Sequence, residues 1–218
     1  MIEIIPAILT NSQDEFEKAV RLIEVHSTRA HLDIADGIFV PNKTIKGYSE
    51  LGLISTDLKF DVHLMVQNPV DQISHWYDIK KADRFIVHIE STDAVTAVKE
   101  FRDTGKGIGL ALNPDTPTRN IEPFMDMIDF VQFMSVYPGF QGGDFVEETT
   151  LKIRDFHAKY PFVPIVIDGG IHPENKNVAE LIEAGASLLV VGSHILSEGR
   201  DVEKAIEELK KIGENINS

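Results

Sequence analysis

The chain has 218 residues, of which 43% are hydrophobic and 26% are charged, and its formal net charge is −14. This length and composition are typical of one large globular domain, which we place at residues 1–218. The negative charge argues against nucleic acid or a membrane surface as a partner, and no apolar run approaches the ~18 residues of a membrane span. Because there is no Cys and no leader-like segment, we expect a cytoplasmic protein without disulfides.

Strand-like and helix-like segments alternate along the whole chain. Short apolar or alternating runs predict strands over 3–9, 30–34, 59–66, 84–90, 107–112, 129–136, 163–168 and 187–192. Helical spacing of apolar residues, with caps and breakers, predicts helices over 12–26, 48–56, 69–81, 93–104, 117–127, 146–159, 174–184, 193–197 and 201–213.

This alternation predicts parallel strands joined by right-handed crossovers. Eight strand–helix units favour a closed (β/α)8 TIM barrel, near the short end of its usual length. An open, doubly wound sheet is the alternative, although such sheets usually contain fewer units.

Four residues with metal-ligating side chains lie near the carboxyl ends of predicted strands. Strand alternation places His31 and Asp33 on one face of the second strand, while His63 lies on the third and Asp168 ends the seventh. Active sites of such barrels lie at this end, so the four side chains are expected to meet there. The set suits one divalent ion, Zn²⁺, Mn²⁺, Co²⁺ or Fe²⁺. Taken singly, each residue is equally compatible with a core histidine or a turn-forming aspartate.

The two carboxylates also form a candidate acid/base pair. The second and seventh strands lie three steps apart around a closed ring, so Asp33 and Asp168 would flank a substrate on the barrel axis. Such a pair can remove a proton from one face of a carbon and return one to the other face. A metal ion would stabilise the enediolate formed in between.

Glycine-bearing loops follow the last three strands and form a candidate phosphate site. They are Gly139-Phe140-Gln141-Gly142-Gly143, Gly169-Gly170 and Gly192-Ser193. Backbone N–H groups at such turns, and at the start of a short helix, bind phosphate without a lysine. Each glycine alone is expected of any barrel turn.

Two further pairs of side chains face the same end of the barrel. Met65 and Met134 point toward the mouth, where core packing is the alternative role. His88 and Glu90 share the inward face of the fourth strand. They are either partners of a metal ligand or ordinary hydrogen-bonding residues of the core or mouth.

Five motifs distributed over the chain carry a resemblance to a known family. They are Pro6-Ala7-Ile8-Leu9, His31-Leu32-Asp33 through Gly37-Ile38-Phe39-Val40-Pro41-Asn42, Asp61-Val62-His63-Leu64-Met65-Val66, Met134-Ser135-Val136-Tyr137-Pro138-Gly139-Phe140, and Ile167-Asp168-Gly169-Gly170. In combination they resemble ribulose-phosphate 3-epimerases, essentially from end to end.

The resemblance implies a metal-dependent isomerase that interconverts D-ribulose 5-phosphate and D-xylulose 5-phosphate, and that assembles as a homo-oligomer. Position by position, it implies metal ligation by His31, Asp33, His63 and Asp168, with the two Asp residues also acting as acid and base. It further implies that Met65 and Met134 shield the enediolate. The residues implied to hold the phosphate are Gly142, Gly170, Gly192 and Ser193.

Four departures from the family pattern leave alternatives open. Ala7 stands where the family usually has Ser, Ala35 where it has Met, Gln141-Gly142-Gly143 where it has Gly-Gly-Gln, and His194 where it tends to have Ala. The two Ala residues would widen the mouth, so a related ketose phosphate such as allulose 6-phosphate is a second candidate substrate. A non-catalytic barrel that binds a phosphate ligand is the third hypothesis. Phosphosugar synthases and decarboxylases on similar barrels use an Asp-x-Lys-x-x-Asp motif, whose Lys is missing from residues 31–36.

Overall fold

The strands close into a barrel, as the sequence predicts. The computed structural model describes residues 2–140, 142–174 and 177–216. Within these ranges the strands are β1 (Glu3–Ile8), β2 (Arg29–Ala35), β3 (Lys59–Met65), β4 (Ala82–His88), β5 (Gly107–Leu112), β6 (Phe130–Met134), β7 (Ile165–Asp168) and β8 (Leu188–Val191). Each strand pairs in parallel with the next, and β1 pairs with β8. The closed (β/α)8 barrel is therefore confirmed and the open sheet is excluded.

Helices follow most strands, usually with shorter bounds than predicted. They are α1 (Gln13–Ile23), α2 (Tyr48–Leu53), α3 (Ile73–Trp76), α4 (Ala94–Asp103), α5 (Glu148–Lys159), α6 (Asn177–Glu183), α7 (Ser193–Leu196) and α8 (Val202–Ile216). The predicted start of α6 overlaps residues 175–176, which lie outside the described residues. No helix of the described ranges combines the length and the apolarity needed to cross a bilayer.

Two predicted helices are wrong in form. The segment 117–127 contains two 3₁₀ turns, Thr118–Asn120 and Glu122–Phe124. Pro123 has no N–H to donate and disfavours the α conformation of the residue before it, so a continuous helix is broken there. The segment 69–81 forms a 3₁₀ turn followed by the short α3. Lys106 donates to the carbonyl oxygens of Trp76 and Ile79, at 3.2 and 2.7 Å, at the point where that helix ends.

Strand alternation divides the apolar residues into two layers. One face of each strand packs outward against the helices in a large continuous core. The other face fills the barrel interior, where a separate cluster comprises Ile5, Ala7, Ile86, Ala111, Phe130, Val166, Leu188 and Val190. Gly109 makes room for the Phe130 ring, because a Cβ at this glycine would lie 2.4 Å from it. The interior is therefore packed, and the cavity lies beyond the carboxyl ends of the strands.

An ion cluster lies in the barrel nearer the amino ends of the strands. Asp61, which is 2% exposed, accepts hydrogen bonds from Arg29 Nη1 at 2.5 Å and from Arg84 Nε at 2.7 Å. Arg29 also donates to Asp83 at 2.7 Å. Asp61 lies two residues before His63 on β3, so the same inward face carries a structural carboxylate below and a candidate ligand above.

We expect Asp61→Ala to lower the free energy of unfolding by about 3 kcal/mol, because it leaves two partly buried guanidinium groups without their shared partner. Urea denaturation measures the change. The matched control is Asp83→Asn, whose partly exposed carboxylate contacts the same Arg29 and whose loss should cost less than ~1 kcal/mol. Equal losses in the two variants would contradict this account.

Candidate active site

The structure brings His31, Asp33, His63 and Asp168 together at the carboxyl ends of β2, β3 and β7. One ligand atom from each residue lies within 4.8 Å of the other three, and all four residues are buried. His63 Nδ1 lies 2.9 Å from Asp33 Oδ1 and 3.3 Å from Asp168 Oδ2. His31 Nε2 lies 3.3 and 3.6 Å from the same two oxygens. In the strand register Asp33 is paired directly with His63, which places these two side chains side by side.

The arrangement fits a metal ion. Ligand atoms about 2.0–2.2 Å from a tetrahedral ion lie roughly 3.3–3.6 Å from one another, close to the separations found here. His31 is fully buried, yet neither of its ring nitrogens has a hydrogen-bond partner among the described residues. A buried nitrogen without a partner is costly, and an ion bound at Nε2 would remove that cost.

Asp33 and His63 are held in their charged forms by their neighbours. Burial alone would raise the pKa of Asp33, but the adjacent imidazoles of His31 and His63 hold that pKa well below its usual range. Burial alone would lower the pKa of His63, but the carboxylates of Asp168 and Asp33 raise it to about 9. Without a metal ion, His63 therefore holds a proton at neutral pH, and an ion that binds Nδ1 must displace it.

The sequence left the role of His88 open, and the structure places it against a candidate ligand. His88 Nε2 lies 2.8 Å from His63 Nε2, and His88 Nδ1 lies 3.1 Å from Glu90 Oε2. Burial lowers the pKa of His88, so this ring is neutral at physiological pH. The ring of Phe39 packs on His88 with a centroid separation of 4.8 Å.

Gln132 is a site residue that the sequence reasoning missed. Its Nε2 donates to Asp168 Oδ2 at 2.9 Å and lies 3.6 Å from the sulfur of Met134. The available signal was an amide in an otherwise apolar strand, two residues before Met134 and therefore on the same inward face. This bond orients the Asp168 carboxyl and leaves its other oxygen for the cavity.

The cluster lies at the base of a cavity of about 310 Å³. Its lining includes Asp33 and Asp168, the two methionines Met65 and Met134, and Ala7. The glycine loops complete the wall, with Gly139, Gly142, Gly143, Gly169, Gly170, Gly192 and Ser193. The two carboxylates of the candidate metal site and the candidate phosphate residues therefore share one cavity of a size that suits a small ligand.

The loop after β7 requires glycine. Gly169 and Gly170 have φ values of 98° and 63°, and a Cβ at Gly169 would lie 2.3 Å from Val136 Cγ2. None of the described residues that line the cavity is Lys or Arg. The donors that this cavity offers to a phosphate are therefore backbone N–H groups and Ser193, and their role in binding stays a prediction. Gln141 in the β6 loop lies outside the described residues.

The loop after β2 is joined to the loop after β6, which lines the cavity. Asp36 Oδ1 accepts hydrogen bonds from the backbone N–H groups of Ile38 and Phe39, which fixes the turn. Asn42 Nδ2 donates to the carbonyl oxygen of Gly139 at 2.7 Å and so joins this loop to the β6 loop across the mouth. The motif that carried much of the family resemblance therefore has a structural role.

Ala35 does not widen the cavity. It is 3% exposed and packs against Val40 and Met65, and it is outside the set of described residues that line the cavity. Its neighbours fill the space that a larger side chain would occupy. Of the two alanines, only Ala7 faces the cavity, so the expected widening is smaller than the sequence indicated.

Comparison with known proteins gives a consistent assignment. The model of the ribulose-phosphate 3 epimerase family matches residues 3–196. A chloroplastic ribulose-5-phosphate-3-epimerase of Arabidopsis thaliana is 36% identical over 94% of this chain and 75% of its own length. A ribulose-phosphate 3-epimerase of Bacillus subtilis is 36% identical over 96% of this chain and 99% of its own length.

A solved structure of 3-hexulose-6-phosphate synthase covers 97% of this chain and 99% of its own, with a TM-score of 0.69 and 16% identity, and shows the likeness of fold alone. The match over nearly the whole chain and the relatives at more than one-third identity establish the assignment. The chain belongs to the ribulose-phosphate 3-epimerase family, a family of isomerases.

Proposed function

We propose that the protein interconverts D-ribulose 5-phosphate and D-xylulose 5-phosphate by moving a proton at C3, with one divalent metal ion in the site. The observation that carries the proposal is the pair of carboxylates, Asp33 and Asp168. They come from strands three steps apart around the barrel and enter one cavity through one metal-ligating cluster. The names of the relatives supply the substrate class.

The metal ion would be held by His31 Nε2, His63 Nδ1, Asp33 Oδ1 and Asp168 Oδ2, the four atoms that already face one another. The ion would be Zn²⁺, Mn²⁺, Fe²⁺ or Co²⁺, because this mixture of imidazole and carboxylate suits all four. When bound, it would supply positive charge that stabilises the enediolate.

Asp33 and Asp168 carry the proton transfer. One begins as the carboxylate and takes the proton from C3, and the electron pair of the broken C–H bond moves toward the C2 carbonyl oxygen. The other begins protonated and delivers its proton to the opposite face of C3, which inverts the configuration. The two residues exchange roles when the reaction runs in reverse.

The remaining lining residues bind and protect the substrate. Met65 and Met134 present thioethers rather than acidic protons to the reacting carbons, so they exclude water without quenching the enediolate. The glycine loops and Ser193 provide neutral donors for the phosphate at the other end of the cavity. Because these donors act locally, they can bind a phosphate although the chain as a whole has a net charge of −14.

Proton NMR of the Zn²⁺-loaded protein with D-ribulose 5-phosphate in D₂O tests the proposal. We expect xylulose 5-phosphate to form with solvent deuterium at C3, because both carboxylic acids exchange with solvent between turnovers. The chelated protein is the control.

No product and no exchange would contradict the proposal. Allulose 6-phosphate in the same assay then tests the second candidate substrate, which the Ala7 side of the cavity favours. Exchange with neither sugar, combined with measurable binding of both, would support the non-catalytic barrel.

Three statements about the protein's organisation and setting stay predictions. They are the single-domain boundaries at 1–218, a cytoplasmic location and assembly as a homo-oligomer. Size-exclusion chromatography with light scattering measures the assembly, and a monomeric mass at micromolar concentration would contradict it.

A further inference from the structure

His63 is the first residue of a chain of buried contacts that leads away from the cavity. His88 Nε2 lies 2.8 Å from His63 Nε2, whereas the two ring centroids are 4.9 Å apart. The planes are inclined by only 22°, so the rings meet through their edges, as an N–H···N hydrogen bond requires. Both rings are fully buried.

Glu90 ends this chain and has donors on both of its oxygens. Oε2 lies 3.1 Å from His88 Nδ1, and Oε1 accepts the backbone N–H of Asn113 at 2.9 Å and the hydroxyl of Thr116. Burial alone would raise the pKa of Glu90, but these donors, with His88 contributing most, lower it to about 2. Glu90 is therefore ionised at neutral pH and can only accept.

The direction of every hydrogen bond follows from Glu90. Because Oε2 has no proton, the proton between it and His88 must be on His88 Nδ1. A neutral imidazole protonated at Nδ1 has a lone pair at Nε2, so the proton between the two rings must belong to His63 Nε2. His63 Nδ1 is then the nitrogen whose lone pair faces Asp33 and Asp168 once the metal displaces its proton.

We propose that Glu90 and His88 are positioning residues that fix the tautomer of His63 and thereby determine metal affinity. The proposal rests on the proposed function for the role of the metal, but the tautomer of His88 is itself a property of the metal-free chain. Neither residue lines the cavity, so neither touches substrate. Phe39 covers His88 and excludes water, which would otherwise supply donors and acceptors in any orientation.

Glu90→Gln separates this role from simple packing. If the Gln amide keeps its oxygen toward the fixed N–H of Asn113, its NH₂ group faces His88 Nδ1 and forces the His88 proton to Nε2, against His63 Nε2–H. His63 must then give up its Nε2 proton and keep the proton on Nδ1, where it blocks the metal. If the amide turned over, its oxygen would accept from His88 Nδ1 as in wild type, but its NH₂ group would face the fixed N–H of Asn113, and this contact between two donors disfavours that orientation. Size and shape are unchanged by the substitution.

The matched control is Thr116→Val. It removes the hydroxyl that donates to Glu90 Oε1, the oxygen that also accepts from Asn113, but it preserves the charge of Glu90 and its contact with His88. Two measurements are made on wild type and both variants. Zn²⁺ dissociation constants come from competition with a chromogenic chelator, and histidine tautomers come from long-range ¹H–¹⁵N NMR of the metal-free proteins. The His88 signals are assigned by comparison with His88→Gln.

We expect Glu90→Gln to raise the Zn²⁺ dissociation constant 10- to 100-fold, and Thr116→Val to change it less than about threefold. Wild-type His88 should carry its proton on Nδ1. A wild-type His88 protonated on Nε2, or an unchanged dissociation constant in folded Glu90→Gln, would overturn the proposal. If wild type bound no divalent ion, the proposed function would fail. Even if Glu90→Gln did not fold, the tautomer of His88 in the wild-type protein would still test the direction of the hydrogen bonds from Glu90 to His63.

Discussion

Asp168→Asn is expected to lower the rate of epimerisation about a thousand-fold, because an amide can neither take nor deliver the C3 proton. The side chain keeps its shape, so its oxygen can still accept from Gln132 Nε2 and still face the metal. Asp33 remains as a base on one side of the substrate. We therefore expect the variant to exchange the C3 hydrogen of only one of the two epimers with D₂O.

A cavity carboxylate outside the metal cluster provides the control. Asp144→Asn changes an Asp that lines the same cavity and should stay within a few-fold of wild type. Coupled-enzyme kinetics measure the rate, and proton NMR measures the exchange. The two-base assignment would be wrong if Asp168→Asn epimerised at nearly the wild-type rate while binding metal normally.

Removal of the metal is expected to abolish the activity and to lower the melting temperature by roughly 5–10 °C. An ion present at a hundred times its dissociation constant stabilises the folded state by about 2.7 kcal/mol. For a chain of this length, each kcal/mol corresponds to about 2–4 °C. Differential scanning calorimetry with and without a chelator measures the shift.

Substitution of one candidate metal ligand tests whether the change in melting temperature arises at the proposed site. His31→Gln should lose most of the metal-dependent shift, because it removes Nε2, a candidate ligand nitrogen that makes no hydrogen bond within the described part of the chain. His75→Gln is the control, because His75 is an exposed histidine of α3 that stacks on Tyr48. A chelated wild-type protein with unchanged melting temperature and full activity would contradict the metal site.

The sequence by itself determined the barrel fold and which side chains of each strand face inward. Period-two alternation is a local property, so it placed His31 with Asp33, and His63 with Met65, on inward faces before any contact was known. The eight strand–helix units predicted a TIM barrel, and in such barrels the active site lies at the carboxyl ends of the strands. The order of the strands confirms the barrel, and the cavity and the four-residue cluster lie at that end.

Local pattern failed where a segment depends on distant atoms. Apolar spacing over 117–127 resembled a helix, but Pro123 and the packing of Phe124 favour two 3₁₀ turns. The helix predicted to reach residue 81 ends early. At its end, the carbonyl oxygens of Trp76 and Ile79 accept hydrogen bonds from the side chain of Lys106, which lies about thirty residues later in the chain. The predicted effect of Ala35 failed for the same reason, since its neighbours Val40 and Met65 occupy the space.

Only the tertiary structure decided how the site residues are connected. Register pairs Asp33 with His63 and Met134 with Asp168, and closure of the ring brings these pairs together. The sequence showed His88 and Glu90 as polar residues on an inward face, but it did not single out Gln132 and could not show which atoms meet. Hydrogen bonds select single atoms across strands far apart in sequence, whereas a residue pattern defines only a face. The chain alone therefore determined the type of site, and the fold decided which nitrogen of each histidine serves it.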